Sequence, residues 1–421
     1  MMSPSKRPIF AALGLATLLA VPLPVWAQHE DLDTDEQGLA NDTDVEPDDD
    51  DADEDSKSDE TGTPTGTVSA PADQPRKKSK GLVLESEDGR FKTQIQARVQ
   101  TRYEYDLLTP DGVDDRSAFS IARGRITLKG HAFAENIEYK FQADWGKGNL
   151  SLKDFYVDYV RGGVFIRAGQ FKRPFSRQQI TSSGNQEFVD RAITDKAFLG
   201  ERDIGIMIHN NYEKSPELEW AVGIFNATGD ASVFAGVTDP DTGAVVIKPS
   251  NVPAFFGPAL VARIGINRGG LEGYTEADLE GGPLRYGVAA SVLSEFDADD
   301  DDASAIRAQL DYIVKVNGFS TTGGVYIATA QDGEGFADQS YDQIGYHIQA
   351  GYTVNGMHQV VGRYAMFDRD KSDPDQELTL GYSLYGEKHG FKWQTDAGLR
   401  TAEGKDLGDE VLLRSQLQLS F

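Results

Sequence analysis

Apolar and polar residues alternate with a period of two along most of the chain. In the stretch 89–106, Phe91 and Ile95 lie on one face, and Lys92 and Gln96 lie on the other. This alternation predicts β-strands, because successive side chains of a strand point to opposite faces. About sixteen segments follow the rule: 89–106, 118–133, 137–145, 152–160, 164–171, 203–210, 218–227, 258–267, 284–293, 305–316, 319–329, 343–354, 359–367, 377–385, 391–400 and 410–421.

The connections between these segments are alternately short and long. Short ones, rich in the glycine and asparagine of tight turns, lie at 134–136, 161–163, 317–318, 355–356 and 386–390. Long polar ones lie at 107–117, 228–257, 294–304, 330–342, 368–376 and 401–409. Short turns at one end and long loops at the other are typical of a transmembrane antiparallel β-barrel. The connection 268–283 is long but falls at the end with the short turns, and the pattern offers no explanation for it.

The apolar face of each predicted strand is almost free of charge. In the segment 305–316 it carries Ile306, Leu310 and Tyr312. A Lys or Arg facing lipid at mid-depth costs ~2–4 kcal/mol, and only helices and closed barrels satisfy every backbone group in lipid. We therefore predict an all-β fold in which this face contacts lipid, the strand ending at Phe421 closes the barrel, and the bore holds water.

The first 27 residues have the features of a secretory signal segment. Lys6 and Arg7 precede an apolar run from Ile9 to Val21, and small residues fit cleavage after Ala27. The alternative is a membrane-spanning anchor, which needs ~20 apolar residues. The run is shorter than that, so a removable signal is the better interpretation.

Acidic residues are concentrated in an N-terminal arm. The chain has 68 Asp and Glu against 41 Lys and Arg, for a net charge of −27, and residues 29–75 hold 18 acids and one base. Because this stretch has few large apolar residues, we predict that 28–80 is a disordered acidic arm and linker and that 81–421 is the barrel. The arm is either a spacer or a segment that binds cations or basic partners. The rest is also uneven, with a net charge of +7 over 76–177 and −19 over 178–421.

The sequence shows no motif for catalysis or metal binding. It has no cysteine, which excludes disulfides, thiolate metal sites and thiol nucleophiles. The stretch 381–386 has Tyr385 where a nucleophile elbow has its second glycine, and the run Asp299 to Asp302 lacks the glycine and glutamate of a calcium loop. Basic residues follow alternate strand positions instead of forming a patch with aromatic residues, which argues against nucleic acid. We predict no enzyme, no metal and no cofactor.

Two motifs resemble those of a known family. The stretches RAGQFKRPFS at 167–176 and GIFNATGD at 223–230 are similar to segments of the phosphate-selective porin O and P family, and the resemblance covers about 85–421. It implies a sixteen-stranded homotrimer in the bacterial outer membrane, in contact with its lipid and lipopolysaccharide, with a long third loop folded into the bore. The stretch from Lys172 to about Glu201 fits that loop.

Basic side chains on the inward face are the candidate channel-lining residues. Rings of Arg or Lys favour anions, and a guanidinium matches phosphate oxygens. The register places seven of them on strands and three at the start of the third loop: Lys92, Arg98, Arg102, Arg123, Arg125, Lys129 and Arg167, then Lys172, Arg173 and Arg177. For each, the alternative is a salt bridge with a bore acid such as Asp144, Asp154 or Asp158.

The function expected from these features is an outer-membrane porin for the passive diffusion of small anions, phosphate or polyphosphate among them. The barrel region is net acidic overall, so a general or weakly cation-preferring porin is the alternative. A surface β protein that binds through its acidic arm is a further one.

Overall fold

The structure is a computed structural model. It describes residues 81–108, 115–148, 150–198, 200–228, 234–238, 245–249, 256–296, 304–331, 341–369, 374–401 and 406–421. The predicted signal segment, the acidic arm and the run Asp299 to Asp302 lie outside the described residues, as does part of every long polar connection named above. The division into signal, arm and barrel therefore stays a prediction.

Most of the described residues belong to strands. The strands are β1 (Leu82–Glu85), β2 (Phe91–Leu108), β3 (Arg116–Ala132), β4 (Ala134–Asp144), β5 (Ser151–Arg161), β6 (Val164–Lys172), β7 (Arg202–His209), β8 (Leu218–Phe225), β9 (Phe234–Thr238), β10 (Val245–Pro249), β11 (Ala259–Arg268), β12 (Arg285–Phe296), β13 (Ser304–Val316), β14 (Phe319–Gln331), β15 (Tyr341–Val354), β16 (His358–Arg369), β17 (Asp375–Glu387), β18 (Phe391–Arg400) and β19 (Glu410–Ser420). Two short helices, α1 (Arg177–Ile180) and α2 (Ile193–Ala197), lie between β6 and β7. Among the described residues, no helix has the length and apolar character needed to cross a bilayer.

Sixteen of these strands form one closed antiparallel barrel. Each strand from β2 to β8 and from β11 to β19 pairs with the next, β8 pairs with β11, and β19 pairs with β2. The backbone of Phe421 continues the last pairing, since its nitrogen and oxygen both bond to Ala97, at 3.0 and 2.8 Å. The predicted fold class, strand number and closing role of the last strand are confirmed. β1 pairs with β2 beyond the end of β19, and β9 and β10 form a separate hairpin.

The strand faces are those that the alternation predicts. On β15, the Ile348 side chain is 50% exposed and that of the next residue, Gln349, is 1% exposed. The exposed side chains of the barrel wall are mostly apolar and aromatic, as lipid contact requires. The buried side chains are largely polar and charged, the reverse of a soluble protein core. The side chains that could carry a transport function therefore point into the bore.

The short turns have the chemistry expected of tight hairpins. At the β13–β14 turn, Asn317 and Gly318 have φ angles of 49° and 87°, the left-handed values that two-residue hairpin turns require. A side chain at Gly318 would place its Cβ 2.4 Å from the Thr353 carbonyl oxygen. Short turns face the periplasm in bacterial barrels, and this orients the molecule.

The connection 268–283, called here the periplasmic link, folds into the barrel. Leu271 and Tyr274 are buried. The Tyr274 ring centroid lies 4.5 Å from the Arg177 guanidinium, and its hydroxyl donates to Glu219 at 2.8 Å. The unexplained length of this link is therefore the length needed to reach the interior.

Candidate functional site

The connection between β6 and β7, residues 173–201, is the third loop, and it lies inside the barrel. Its residues are almost all buried. Hydrogen bonds join it to inward-facing side chains all around the barrel: Ser182 to Arg98 of β2 at 3.0 Å, Arg177 to Asp311 of β13 at 3.1 Å, Ser176 to Tyr326 of β14 at 3.0 Å, Gln178 to Gln349 of β15 at 3.4 Å, and Val189 to Asp396 of β18 at 3.0 Å. A loop tied to opposite walls narrows the bore at its level.

Local hydrogen bonds fix the start of the third loop. Ser176 caps α1 by accepting from the Gln179 nitrogen at 3.3 Å. The ammonium of Lys172 donates to the carbonyl oxygens of Gln179 at 2.5 Å and Ile180 at 2.8 Å. These carbonyls have no partner within a helix this short, so Lys172 supplies one. Lys172 was predicted as a channel-lining base; the structure places it as an anchor of the loop.

Four basic side chains surround the carboxylate of Asp190 on the third loop. The closest N···O distances are 3.2 Å from Arg102, 3.5 Å from Arg123, 3.2 Å from Arg414 and 4.0 Å from Lys196. We call these five residues the Asp190 cluster. Burial acts to raise the pKa of Asp190, but Arg102 and the other cations hold it well below its usual range. The cluster is thus a group of cations held around one ionised carboxylate.

Other predicted bases are paired with acids one to one or nearly so. Arg125 binds Asp144 at 2.7 Å, Arg167 binds Asp158 at 2.9 Å and Glu213 at 2.8 Å, Arg173 binds Glu295 at 2.9 Å, and Arg177 binds Asp311 at 3.1 Å. For these residues, the structure contains the salt bridges with bore acids that the sequence analysis gave as the alternative to a free channel-lining base. Their charges are largely compensated where they sit, so they contribute less to the field in the bore than the Asp190 cluster does.

The last predicted bases lie toward the periplasmic end. The Lys92 side chain is 45% exposed and is 3.5 Å from Glu85 of β1. Lys129 of β3 is partly exposed on the same wall. Both are therefore accessible to solutes in the periplasmic half of the bore.

Several bore cations were not among the predicted site residues. Arg414 and Lys196 belong to the Asp190 cluster, Arg363 pairs with Glu377, and Arg263 binds Asp311 at 2.8 Å. The alternation of their strands places Arg263, Arg363 and Arg414 on the inward face, so this signal was present. Lys196 lies on a loop without such a pattern, and its position follows only from the fold.

The charged groups of the interior are more basic than the chain as a whole. Among the described residues, nineteen Lys and Arg side chains are buried, against fifteen Asp and Glu. Because the outward face is apolar, these groups line the bore or the loops inside it. A bore with this excess can hold small anions by electrostatic attraction and by hydrogen bonds from guanidinium groups.

Comparison with known proteins finds the family that the sequence motifs resemble. The family described as phosphate-selective porin O and P matches residues 93–402. An uncharacterized protein of Aquifex aeolicus (strain VF5) is 25% identical over 377 residues, which cover 78% of this chain and 87% of that protein.

Two solved structures share the fold. They are the outer membrane channel DcaP of Acinetobacter baumannii, with a TM-score of 0.54 and 13% identity over 80% of this chain and 99% of that one, and an anion-selective porin from Comamonas acidovorans, with a TM-score of 0.50 and 12% identity over 78% and 99%. At these identities the likeness shows the fold alone.

Proposed function

Because this chain belongs to the phosphate-selective porin O and P family, we propose that the channel it forms in the bacterial outer membrane favours small anions, phosphate-like ones included. The channel itself follows from the family and the closed barrel. The preference for anions is the proposal. One structural neighbour, from Comamonas acidovorans, is described as anion-selective, and this is consistent with the proposal without carrying it.

The observation that carries the proposal is the excess of buried bases over buried acids. The whole chain has a net charge of −27, and on that ground alone a cation preference would be expected. Charges exposed on outer loops are screened within about 8 Å at physiological salt. Charges at a constriction with low-dielectric walls act over a longer range, because the walls focus the field. The local excess therefore outweighs the net charge.

The Asp190 cluster is the place where a passing anion would be held. Arg102 and Arg414 each have one end fixed by other groups: Arg102 donates to Gln416 at 3.0 Å, and Arg414 donates to Asp396 at 2.7 Å. Fixed guanidinium groups lose little entropy when they bind a phosphate or carboxylate oxygen. An anion can thus replace part of the interaction that Asp190 makes, and leave again as Asp190 returns. Weak, replaceable binding is what conduction requires.

A homotrimer is the assembly that we propose, on the resemblance to the family alone.

The test is the zero-current potential of the purified protein in a planar bilayer under a potassium chloride gradient. We expect a potential on the anion side, and a shift toward the cation side when Arg123→Gln and Arg414→Gln are combined. The matched control is Arg161→Gln, which removes a base at an exposed position at the end of β5 and should leave the potential unchanged. A wild-type channel without ion preference, or one that prefers cations, would contradict the proposal.

A further inference from the structure

The periplasmic link joins the third loop inside the bore. The Glu276 nitrogen donates to the Asn185 oxygen at 3.2 Å, and the Glu276 carboxylate accepts from the Glu187 nitrogen at 2.9 Å. The amide of Gln349 donates to both carboxylates, to Glu187 at 2.8 Å and to Glu276 at 3.0 Å. Two segments that enter the barrel from opposite ends are therefore bonded to each other and to β15.

The link also crosses to the far strands of the barrel. Thr275 accepts from the Lys315 ammonium at 2.6 Å, and Asp278 accepts from the backbone nitrogen of Gly318 at 2.8 Å. At its far end, Glu280 binds Lys388 of the β17–β18 turn at 3.0 Å. Because the link starts after β11, these contacts show that it runs along the periplasmic ends of the strands from β13 to β17.

The two walls of the periplasmic half differ in their access to solvent. On the covered wall, inward side chains close to the turns are fully buried, with exposures of 1% for Ser320, 0% for Gln359, 0% for Ser383 and 0% for Lys392. On the wall of β2 and β3, inward side chains near the periplasmic end are partly exposed: Gln94 and Gln96 on β2, and Lys129 on β3. The third loop bonds directly to all four buried side chains through Gln186 and Glu187, and the link holds this part of the loop through Glu276. Together they cover one wall and leave the other open.

The open wall belongs to the basic part of the chain. Within the barrel, residues 81–177 hold 16 bases and 13 acids, a net charge of +3, and residues 178–421 carry −19. Lys92 and Lys129 lie on the open wall. The carboxylates of Glu187 and Glu276 belong to the covering segments themselves, where they accept hydrogen bonds from Gln349.

We propose that the periplasmic link is a selectivity partition: together with the part of the third loop that it holds, it seals the periplasmic half of the bore along β13 to β18 and confines solutes to the basic wall of β2 and β3. The predicted effect of the link on selectivity rests on the anion preference proposed above. The partition itself concerns only which wall of the bore solutes can reach, and it does not depend on that preference. It gives the periplasmic link, and Tyr274 and Glu276 within it, a role in specificity without contact with the solute path.

Cysteine accessibility tests the partition directly, because the chain has no cysteine of its own. Gln96→Cys places a thiol on the open wall, and Ser320→Cys places one under the cover. The probe is a negatively charged sulfonatoethyl methanethiosulfonate added from the periplasmic side to the full-length protein in a bilayer, with the positively charged trimethylammonium analogue as the control for charge. We expect modification at position 320 to be at least about tenfold slower than at 96 with either reagent, because it must wait for local opening.

The second arm of the experiment loosens the link. Tyr274→Ala combined with Glu276→Ala should bring the rate at position 320 close to that at 96, raise the conductance, and move the zero-current potential toward the cation side. Folding is checked by heat-modifiable migration on a gel, and if the double variant does not assemble, Tyr274→Ala alone takes its place. Equal rates at 96 and 320 with the native link, or an unchanged rate at 320 with the loosened link, would overturn the partition.

These outcomes separate the partition from the proposed function. The wild-type zero-current potential tests the anion preference without any change to the link. The modification rates test the cover whatever the ion preference is. The negative and the positive reagent meet the same steric barrier, so a cover slows both of them at position 320. A channel without anion preference but with a protected position 320 would refute the first proposal and support the second.

Discussion

Arg414 of the last strand donates a hydrogen bond at 3.2 Å to Asp190 of the third loop, a residue 224 positions away in the chain. The same guanidinium binds Asp396 of β18 at 2.7 Å. The strand that closes the barrel therefore also helps to hold the third loop at the constriction. Asp190 also takes the place at which a permeating anion would meet the cations around it.

Removing the charge of Asp190 should strengthen anion binding. In Asp190→Asn, the surrounding cations lose the carboxylate that competes with a permeating anion. We expect phosphate to inhibit the chloride current at concentrations about tenfold lower, which corresponds to ~1.4 kcal/mol, and the zero-current potential to move further to the anion side. Glu217→Gln is the control, because it makes the same charge change at a side chain that is 87% exposed. An equal effect of the two variants would mean that the cluster is not the anion site.

The faces of β15 can be tested by adding charge to each. Ile348→Arg puts a guanidinium toward lipid, at a cost of ~2–4 kcal/mol near mid-depth, and we expect impaired assembly. Gln349→Arg puts it toward the carboxylates of Glu187 and Glu276, and we expect a folded channel with altered conductance. Heat-modifiable gel migration reports assembly, and bilayer recording reports conductance. The reverse pattern would mean that the faces are exchanged.

We predict that Lys172 restricts the motion of the third loop. Replacing it by methionine removes two hydrogen bonds from a charged donor to backbone carbonyls, each worth ~1.5–3 kcal/mol, and leaves the end of α1 without these partners. We expect Lys172→Met to assemble and to show larger open-channel current fluctuations, as the loop moves in the bore. Arg161→Met, at an exposed position at the end of β5, should leave the fluctuations unchanged. A quiet Lys172→Met channel would show that other contacts are sufficient to fix the loop.

The contact between the two inward segments should depend on pH. Glu187 belongs to the third loop and not to a spanning strand. Burial and the Glu276 carboxylate raise its pKa from 4.5 to about 7. The charged or titratable groups that face it are Glu276 on the link, Lys315 on β13, Tyr385 on β17 and Lys392 on β18.

The direction of the pH effect follows from proton binding. Between pH 4.5 and about 7, the closed contact holds a proton on Glu187 that the hydrated, open state releases, so a rise in pH favours opening in this window and has no further effect above it. We expect conductance, measured in bilayers, to increase from pH 5 to 7 and then level off. Glu187→Gln should remove most of the slope. A slope that persists in Glu187→Gln would assign the titration to another group.

The sequence determined the wall of this channel. Successive side chains of each strand point alternately to lipid and to the bore, so every second residue must be apolar. This alternation alone assigns Ile348 to the lipid face and Gln349 to the bore face. Tight turns such as Asn317–Gly318 likewise follow from residues that accept positive φ angles. These are local requirements, and strand number, faces and closure follow from them.

Only the tertiary structure decided which bore charges are compensated and where the links go. Arg123 and Arg125 lie two positions apart on one face of β3, yet Arg125 meets Asp144 of the neighbouring strand and Arg123 meets Asp190 of the third loop. The periplasmic link shows no alternation that marks it as interior, because its partners Asn185, Glu187 and Lys315 are distant in sequence. A strand face is a local property of the sequence, whereas an electrostatic partner depends on where distant segments meet in the bore.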